Sequence, residues 1–310
     1  MRPANNRQQS KMEKAFTLIE LLVVIAIIGI LAGMVTVNMS GATESARIAK
    51  GKAFSNSVRS SLLINRVSEW NFDEASGATA LDSWGSNAGT LVNGPVRKSG
   101  ADCVSGGCLE FNGTNNYVLS ANNVGSSGDF SATISAWVKF NSLNNSGYHS
   151  LVSFGQTGSL QGFALSQFTP DSSVIRVAFF GGGANTGSTV SGAVVTGQWY
   201  HLVATKTPGA IGASTTKLYI NGTLQSLTFG TSATPNMADG KLYVGSDAAN
   251  EYANPSIIDE VRIYNAALTA SVVRDQYLAG LDKLLAAGKI TQKEYQENLS
   301  KLNSTYATSK

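Results

Sequence analysis

Hydrophobic and polar positions divide this chain into three regimes. From Phe16 to Val35 every residue except Thr17 and Glu20 is apolar or glycine. Twenty helical residues rise about 30 Å, the hydrocarbon thickness of a bilayer, so this run predicts a membrane-spanning helix. Beyond it the pattern turns amphipathic. Ile48, Phe54, Val58, Leu62 and Leu63 recur at spacings near three to four among Arg47, Lys50, Lys52 and Arg59. A single spine helix reaching about Asn65 would be about 75 Å long.

From about Ser68 the period becomes two. Ile134, Ala136, Val138 and Phe140 alternate with Thr133, Ser135, Trp137 and Lys139, and further runs cover 200–206, 217–221, 241–245 and 257–265. Asn93-Gly94, Asn112-Gly113 and Asn221-Gly222 punctuate these runs with the strongest short hairpin signal. Many short strands without intervening helices predict a mainly β domain, an antiparallel two-sheet sandwich. Helical spacing returns near the end. Thr269 can cap a helix carrying Val273, Tyr277, Leu281, Leu284 and Leu285, ended by Gly288. Thr291-Gln-Lys-Glu294 forms a capping box for a second helix with Tyr295, Leu299 and Leu302. This pair reads either as docked on the head or as a contact with another subunit. The expected organisation is a leader over 1–15, a transmembrane and spine helix over 16–66, a β head over 67–278 and a short C-terminal helical hairpin over 279–310.

Charge sharpens the first segment. The net charge is +3 from 23 basic and 20 acidic residues. Arg2, Arg7, Lys11 and Lys14 against Glu13 account for all of it, leaving 23 − 4 = 19 basic and 20 − 1 = 19 acidic side chains beyond Ala15. A basic leader keeps the N-terminus cytoplasmic and sends the remainder outward. A neutral exported body has no clustered Lys and Arg for nucleic acid, which is excluded as a partner. The only cysteines, Cys103 and Cys108, lack further ligands at zinc spacing and read as a local disulfide in an oxidising compartment.

Glu20 is the awkward residue. A carboxylate near the start of a membrane helix is costly and needs a cation. A secretory signal peptide has a shorter apolar core and a clean cleavage site, and a plain anchor has no use for Glu20. Lys14-Ala15-Phe16-Thr17-Leu18-Ile19-Glu20 resembles the N-terminus of type IV prepilins and pseudopilins, departing at Ala15 where that family usually has Gly. The resemblance implies cleavage between Ala15 and Phe16 by prepilin peptidase and N-methylation of Phe16. It also implies pairing of Glu20 with the new amino terminus of Phe16 in a neighbouring pilin subunit. The expected location is the inner membrane before assembly, then a surface or envelope filament with the head outside.

The head carries a second resemblance. Trp70-Asn-Phe72-Asp73-Glu74, Cys108-Leu-Glu-Phe-Asn-Gly113, Thr133-Ile-Ser-Ala-Trp-Val138, Trp199-Tyr-His-Leu-Val-Ala-Thr205, Leu218-Tyr-Ile-Asn-Gly222 and Ile258-Asp-Glu-Val-Arg-Ile-Tyr-Asn265 stand in the order of laminin-G-like domains. This implies a concanavalin A-like jelly roll, a fold shared by lectins, adhesion modules and some glucanases. Related domains often bind calcium, which makes Asp73, Asp82 and Asp259 the candidate ligands; alternation puts Asp259 on a face with Ile257, Val261 and Ile263. Backbone bonding, or pairing with Arg262 or Arg97, is the alternative for a buried Asp. No cofactor is otherwise required. Trp84, Tyr148 and Tyr252, in polar loop-like stretches, are the candidate ligand-stacking aromatics, while Trp70, Trp137 and Trp199 read as core.

Catalysis is not expected. Glycoside hydrolysis needs two facing carboxylates about 5–9 Å apart, and the closely spaced acid triplet of such glucanases is missing. The pairs Asp73-Glu74 and Asp259-Glu260 are adjacent, so on a strand they point apart. His149 and His201 are the only histidines, and His201 reads as a packed strand residue. The expected function is a pilin-like subunit displaying a lectin-like head for adhesion. The alternative is a pseudopilin of a type II secretion or DNA-uptake machine contacting cargo, and a membrane-anchored glycan-active enzyme stands third.

Overall fold

The computed structural model describes residues 18–30, 65–143, 148–156, 161–168, 173–180, 185–189, 191–230, 232–247 and 255–307. The chain divides into two compact units, Met1–Val58 and Arg59–Lys310. In the first, residues 18–30 form helix α1, apolar apart from Glu20 and exposed throughout. No helix among the described residues is long and apolar enough to cross a membrane. The expected leader and the spine beyond Ile30 lie outside the described residues.

The second unit is β-rich. Its first strands are β1 (Arg66–Trp70), β2 (Thr79–Ala80), β3 (Gly89–Val92), β4 (Val96–Ser99), β5 (Gly107–Glu110) and β6 (Tyr117–Asn123). β7 (Ala132–Phe140), β8 (Tyr148–Gly155), β9 (Gly162–Phe168), β10 (Val174–Phe180) and β11 (Asn185–Ser188) follow. β12 (Trp199–Lys206), β13 (Thr216–Ile220), β14 (Thr223–Leu224), β15 (Thr228–Phe229), β16 (Lys241–Val244) and β17 (Ser256–Tyr264) complete the strands. Helices α2 (Ala270–Ala286) and α3 (Gln292–Ala307) end the unit.

The strands pair antiparallel in two sheets, as the alternation predicts. One has eight strands in the order β14-β13-β12-β7-β17-β5-β4, with β1 also on β17; the other has nine, β15-β11-β10-β9-β8-β16-β6-β3-β2. Between them lies a single apolar cluster that includes Trp70, Phe111, Val138, Phe154, Phe163 and Phe179. Each such side chain, fully buried, contributes about 1.5–3 kcal/mol of transfer free energy.

The Asn-Gly turns divide by context. Asn221-Gly222, with φ of 52° and 75°, joins β13 to β14 as a two-residue hairpin, Ile220 opposite Thr223. Asn93-Gly94 also has positive φ, 54° and 66°, but the strands on either side belong to different sheets. Asn112-Gly113 likewise lies between β5 and β6, across the sandwich. The dipeptide reverses the chain; the core decides which sheet receives the returning strand.

β17 corrects a second expectation. Against β7 its register shifts between Asp259 and Arg262, and Glu260 has φ of 51°. This is a β-bulge, and it inverts the alternation. Ile258, Val261 and Ile263 enter the main core, whereas Ile257 packs with the cysteines on the opposite side. Asp259 therefore shares a face with Ile257 but not with Val261 and Ile263.

The outward face of β7 is buried too, because α2 covers it. Trp137 stacks on Tyr277 at 5.8 Å, and His201 stacks on the same ring at 6.3 Å. Val104, Leu281, Leu284 and Leu302 complete this second cluster. The hairpin thus docks on the head, and the expected boundary at 278/279 falls inside α2. Thr269 occupies the N-cap but makes no side-chain capping bond, its hydroxyl pairing with Ser271 instead. Gly288, at φ 66°, ends α2 with Lys289 N–H donating to the Leu284 carbonyl. The capping box of α3 is formed, Glu294 N–H to Thr291 Oγ1 at 3.2 Å and Thr291 N–H to Glu294 Oε2 at 2.7 Å.

Gly280 lies where α2 crosses Trp137, and a Cβ built there would overlap the indole. Helix propensity alone favours alanine by about 1 kcal/mol, while overpacking costs about 1–3 kcal/mol. Gly280→Ala should therefore lower the denaturant midpoint. An unchanged or raised midpoint would refute this packing.

Candidate functional site

The assembly segment is described from Leu18 onward. It presents an exposed apolar helix with Glu20 in its first turn. Lys14, Ala15 and Phe16 lie outside the described residues.

The three candidate calcium ligands do not form one site. Asp82 closes its own loop, Oδ1 accepting from the amides of Glu69 at 2.9 Å, Trp84 at 3.0 Å and Gly85 at 2.8 Å, and Oδ2 from Asn87 at 3.0 Å. Burial alone would raise its pKa, but these amides hold the carboxyl below the ordinary value. Asp73 Oδ1 accepts from Gly107 N–H at 2.7 Å. Asp259 Oδ2 accepts from Val104 N–H at 2.9 Å and Ser105 N–H at 3.1 Å, and Oδ1 from Glu260 N–H at 2.7 Å. Burial, joined by Glu260, pushes Asp259 up against the pull of these amides. Each of the three carboxylates is thus engaged by backbone N–H groups, one for Asp73, four for Asp82 and three for Asp259. Among the described residues no three His, Cys, Asp or Glu side chains are placed to hold a metal.

Below α2 lies an ion-pair network instead. Arg262 bridges Glu69, at 2.6 Å, and Glu260, and Lys283 of α2 closes on Glu260. Burial would raise the Glu260 pKa, but Arg262 and Lys283 hold it low. A buried acid clamped between two cations is a structural device.

Of the candidate aromatics, Trp84 is 43% exposed, donates from Nε1 to the Arg66 carbonyl at 2.9 Å and carries the Arg66 guanidinium 4.9 Å above its ring. It serves local packing at the start of the head. Tyr148 begins β8 opposite Phe168, and Tyr252 lies outside the described residues.

Two aromatics that the loop criterion passed over stand on the nine-stranded sheet. One row of its outer face runs Thr90, Leu119, Tyr243, Ser153, Ala164 and Ala178 across neighbouring strands. The next includes Ser150, Ser166, Arg176 and Ser188. Their neighbours Val118, Val244, Val152, Leu165 and Val177 are core, so these residues face away from it. Tyr117 and Tyr243 are half-buried, with ring centroids 5.9 Å apart. Burial raises the Tyr243 hydroxyl, with Tyr117 and Asp247 adding to it. Ser150, Ser153, Ala164, Ser166 and Arg176 on these rows are buried, so the open part of the face is the end that carries exposed Thr90 and the half-buried Leu119, Tyr117 and Tyr243. Half-buried rings of this kind can stack on the C–H face of a sugar, with the tyrosine hydroxyls as hydrogen-bonding groups. Period two was the available signal, since Tyr117 precedes core Val118 and Tyr243 precedes core Val244.

Among the described residues Ser135 and His201 form a serine–histidine pair, and it lies under α2. Ser135 Oγ donates to Gln276 Oε1 at 3.2 Å, so it accepts from His201 Nε2–H at 3.0 Å. His201 Nδ1 has no hydrogen-bond partner among the described residues. Burial, with Arg262 contributing, drives the His201 pKa down to about 3 from 6.5. The unfolded chain therefore binds the extra proton across this window, and the His201 contribution, complete above about pH 6.5, is lost as pH falls toward about 3. Stability of the wild type should drop more steeply from neutral pH to about pH 5 than that of His201→Phe. Parallel denaturation midpoints over that range would remove this assignment.

Residues 10–36 match the sequence profile of the prokaryotic N-terminal methylation motif. Residues 112–274, more than half of the chain, match that of the concanavalin A-like lectin/glucanases superfamily. Among solved structures, the botulinum neurotoxin serotype D ligand-binding domain, crystallised with N-acetylneuraminic acid, is 14% identical with a TM-score of 0.54, over 72% of this chain and 53% of that one. The receptor-binding domain of the botulinum neurotoxin C/D mosaic serotype is also 14% identical, with a TM-score of 0.52 over 71% and 52%. This chain thus spans about half the length of the neurotoxin domains it resembles. Domain 4 of the extracellular arabinanase AbnA from Geobacillus stearothermophilus, in complex with arabinotriose, is 23% identical with a TM-score of 0.47, over 68% and 97%. The chain belongs to the concanavalin A-like lectin/glucanase superfamily, and its jelly-roll head follows a prokaryotic N-terminal methylation motif.

Proposed function

We propose that this chain is a pilin-like structural subunit whose head binds glycans through the end of its nine-stranded sheet that bears Tyr117 and Tyr243. The observation that carries the reading is the joining, in one chain, of a methylation motif and a lectin-like jelly roll. Prepilin peptidase cuts between Ala15 and Phe16, and Phe16 is then N-methylated. Before assembly the subunit is held in the inner membrane with its head outside. In the filament Glu20 pairs with the amino terminus of Phe16 on the next subunit. That head-to-tail contact does not close on itself, so it propagates an open helical array.

The head acts by binding. Its adjacent acid pairs are consumed by structure: Asp73 and Asp259 take backbone amides, Glu74 pairs with Arg97, and Glu260 is locked to Arg262 and Lys283. The part of the outer face open to a ligand is the end bearing Thr90, Tyr117 and Tyr243. Calcium is not needed for that contact.

The two parts are tested separately. Intact mass of the membrane-extracted protein should lack residues 1–15 and carry one added methyl group. Glu20→Val should still be processed but should not enter filaments; normal assembly by this variant would remove the pairing role. For the head, a glycan array that includes acidic and neutral sugars should show binding that chelation of calcium does not abolish. Tyr243→Ala should reduce that binding about tenfold or more, the loss of one good stacking contact. An array with no hits would favour a subunit that contacts protein cargo.

A further inference from the structure

The disulfide sits in an unusual place. Cys103 and Cys108 close the tip between β4 and β5, at the edge of the eight-stranded sheet. That tip is already closed by backbone pairing, Lys98 opposite Cys108, Ser99 opposite Gly107, and Gly100 N–H on the Gly106 carbonyl at 3.2 Å. The two cysteines pack with Ile257 and against Trp199, apart from the cluster between the sheets. The sandwich gains little from the bond.

The residues inside the disulfide loop point elsewhere. Val104 is buried in the cluster of Trp137, Tyr277, Leu281, Leu284 and Leu302, and so inserts beneath both C-terminal helices. The carbonyl of Cys103 accepts a hydrogen bond from Lys289 Nζ, in the turn between α2 and α3. Asp259 grips the amides of Val104 and Ser105 from below. The loop is thus held to the sheet on one side and to the hairpin on the other.

We propose that the Cys103–Cys108 disulfide is the latch of the C-terminal hairpin: it holds the loop in the one shape that seats Val104 under α2 and α3. Without the bond the loop gains freedom, and the amide grip of Asp259, the Lys289 contact and the Val104 insertion loosen together. The hairpin then opens locally, uncovering Trp137 and His201, while the sandwich persists on its own core. Local opening of a docked element below the free energy of global unfolding is a common property of native proteins.

Hydrogen exchange on the full-length chain in detergent, read by mass spectrometry, tests this with two variants. Cys103→Ser/Cys108→Ser removes the bond. Val104→Ala keeps it and removes only the inserted side chain. In both, exchange in α2 and α3 should rise about tenfold or more, with the strands β7 and β12 unchanged. Acceleration confined to residues 100–107 would overturn the proposal. So would equal acceleration across the sandwich strands, or failure of the double variant to fold, since either would make the bond a staple of the whole head.

Discussion

The structure of the head depends on the fact that a sheet has two faces and a sandwich core accepts only one. In the eight-stranded sheet the second face is aromatic at Trp137 and polar but dry at Ser135 and His201. Left open, it would expose a tryptophan and strand a histidine. Tyr277 covers both by stacking, and Gly280 lets the helix come close enough to do so. That one crossing draws in the rest. Lys283 can then reach Glu260, Leu302 can pack over the turn at Gly222, and the disulfide loop can supply Val104 from the edge.

Burial on this side also sets its chemistry. His201 is held neutral, its one ring N–H committed to Ser135, and the acids beside it are fixed by amides or cations. The nine-stranded sheet differs in what stays partly open. On its outer face Ser150, Ser153, Ala164, Ser166 and Arg176 are buried, while Thr90 is exposed and Leu119, Tyr117 and Tyr243 are half-buried. The fold thus closes one face with its own C-terminus and leaves two tyrosines partly open on the other.

Assembly chemistry stands apart from both. The apolar run broken by Glu20 belongs to the first unit, and the pairing proposed for Glu20 rests on the resemblance of this motif to prepilins. A carboxylate among apolar side chains requires a cation, and a filament built from identical subunits can supply one from the neighbour's amino terminus.

Much of this was legible in the sequence. Period two along 133–140 and the ordered Trp, Asn-Gly and Ile-Asp-Glu pieces specify an antiparallel sandwich, because alternation is a local property of strands. The capping box at Thr291 and Glu294 could be read for the same reason: its partners are three residues apart. What sequence could not decide were matters of meeting at a distance. Asn93-Gly94 reverses the chain like any such turn, yet only the core assigns the next strand to the other sheet. The bulge at Asp259 and Glu260 inverts the face on which Val261 and Ile263 fall, and nothing in the local pattern marks it. Asp73, Asp82 and Asp259 carry the composition of a metal site, but the backbone amides that consume them arrive from loops up to 155 residues away. Sequence by itself determined the motif at the N-terminus and the class of the head, since both are written in short-range spacing. Tertiary structure alone decided which face is covered, which acids are spent and which tyrosines remain half-exposed, since burial and hydrogen-bond partners depend on the packing of distant segments.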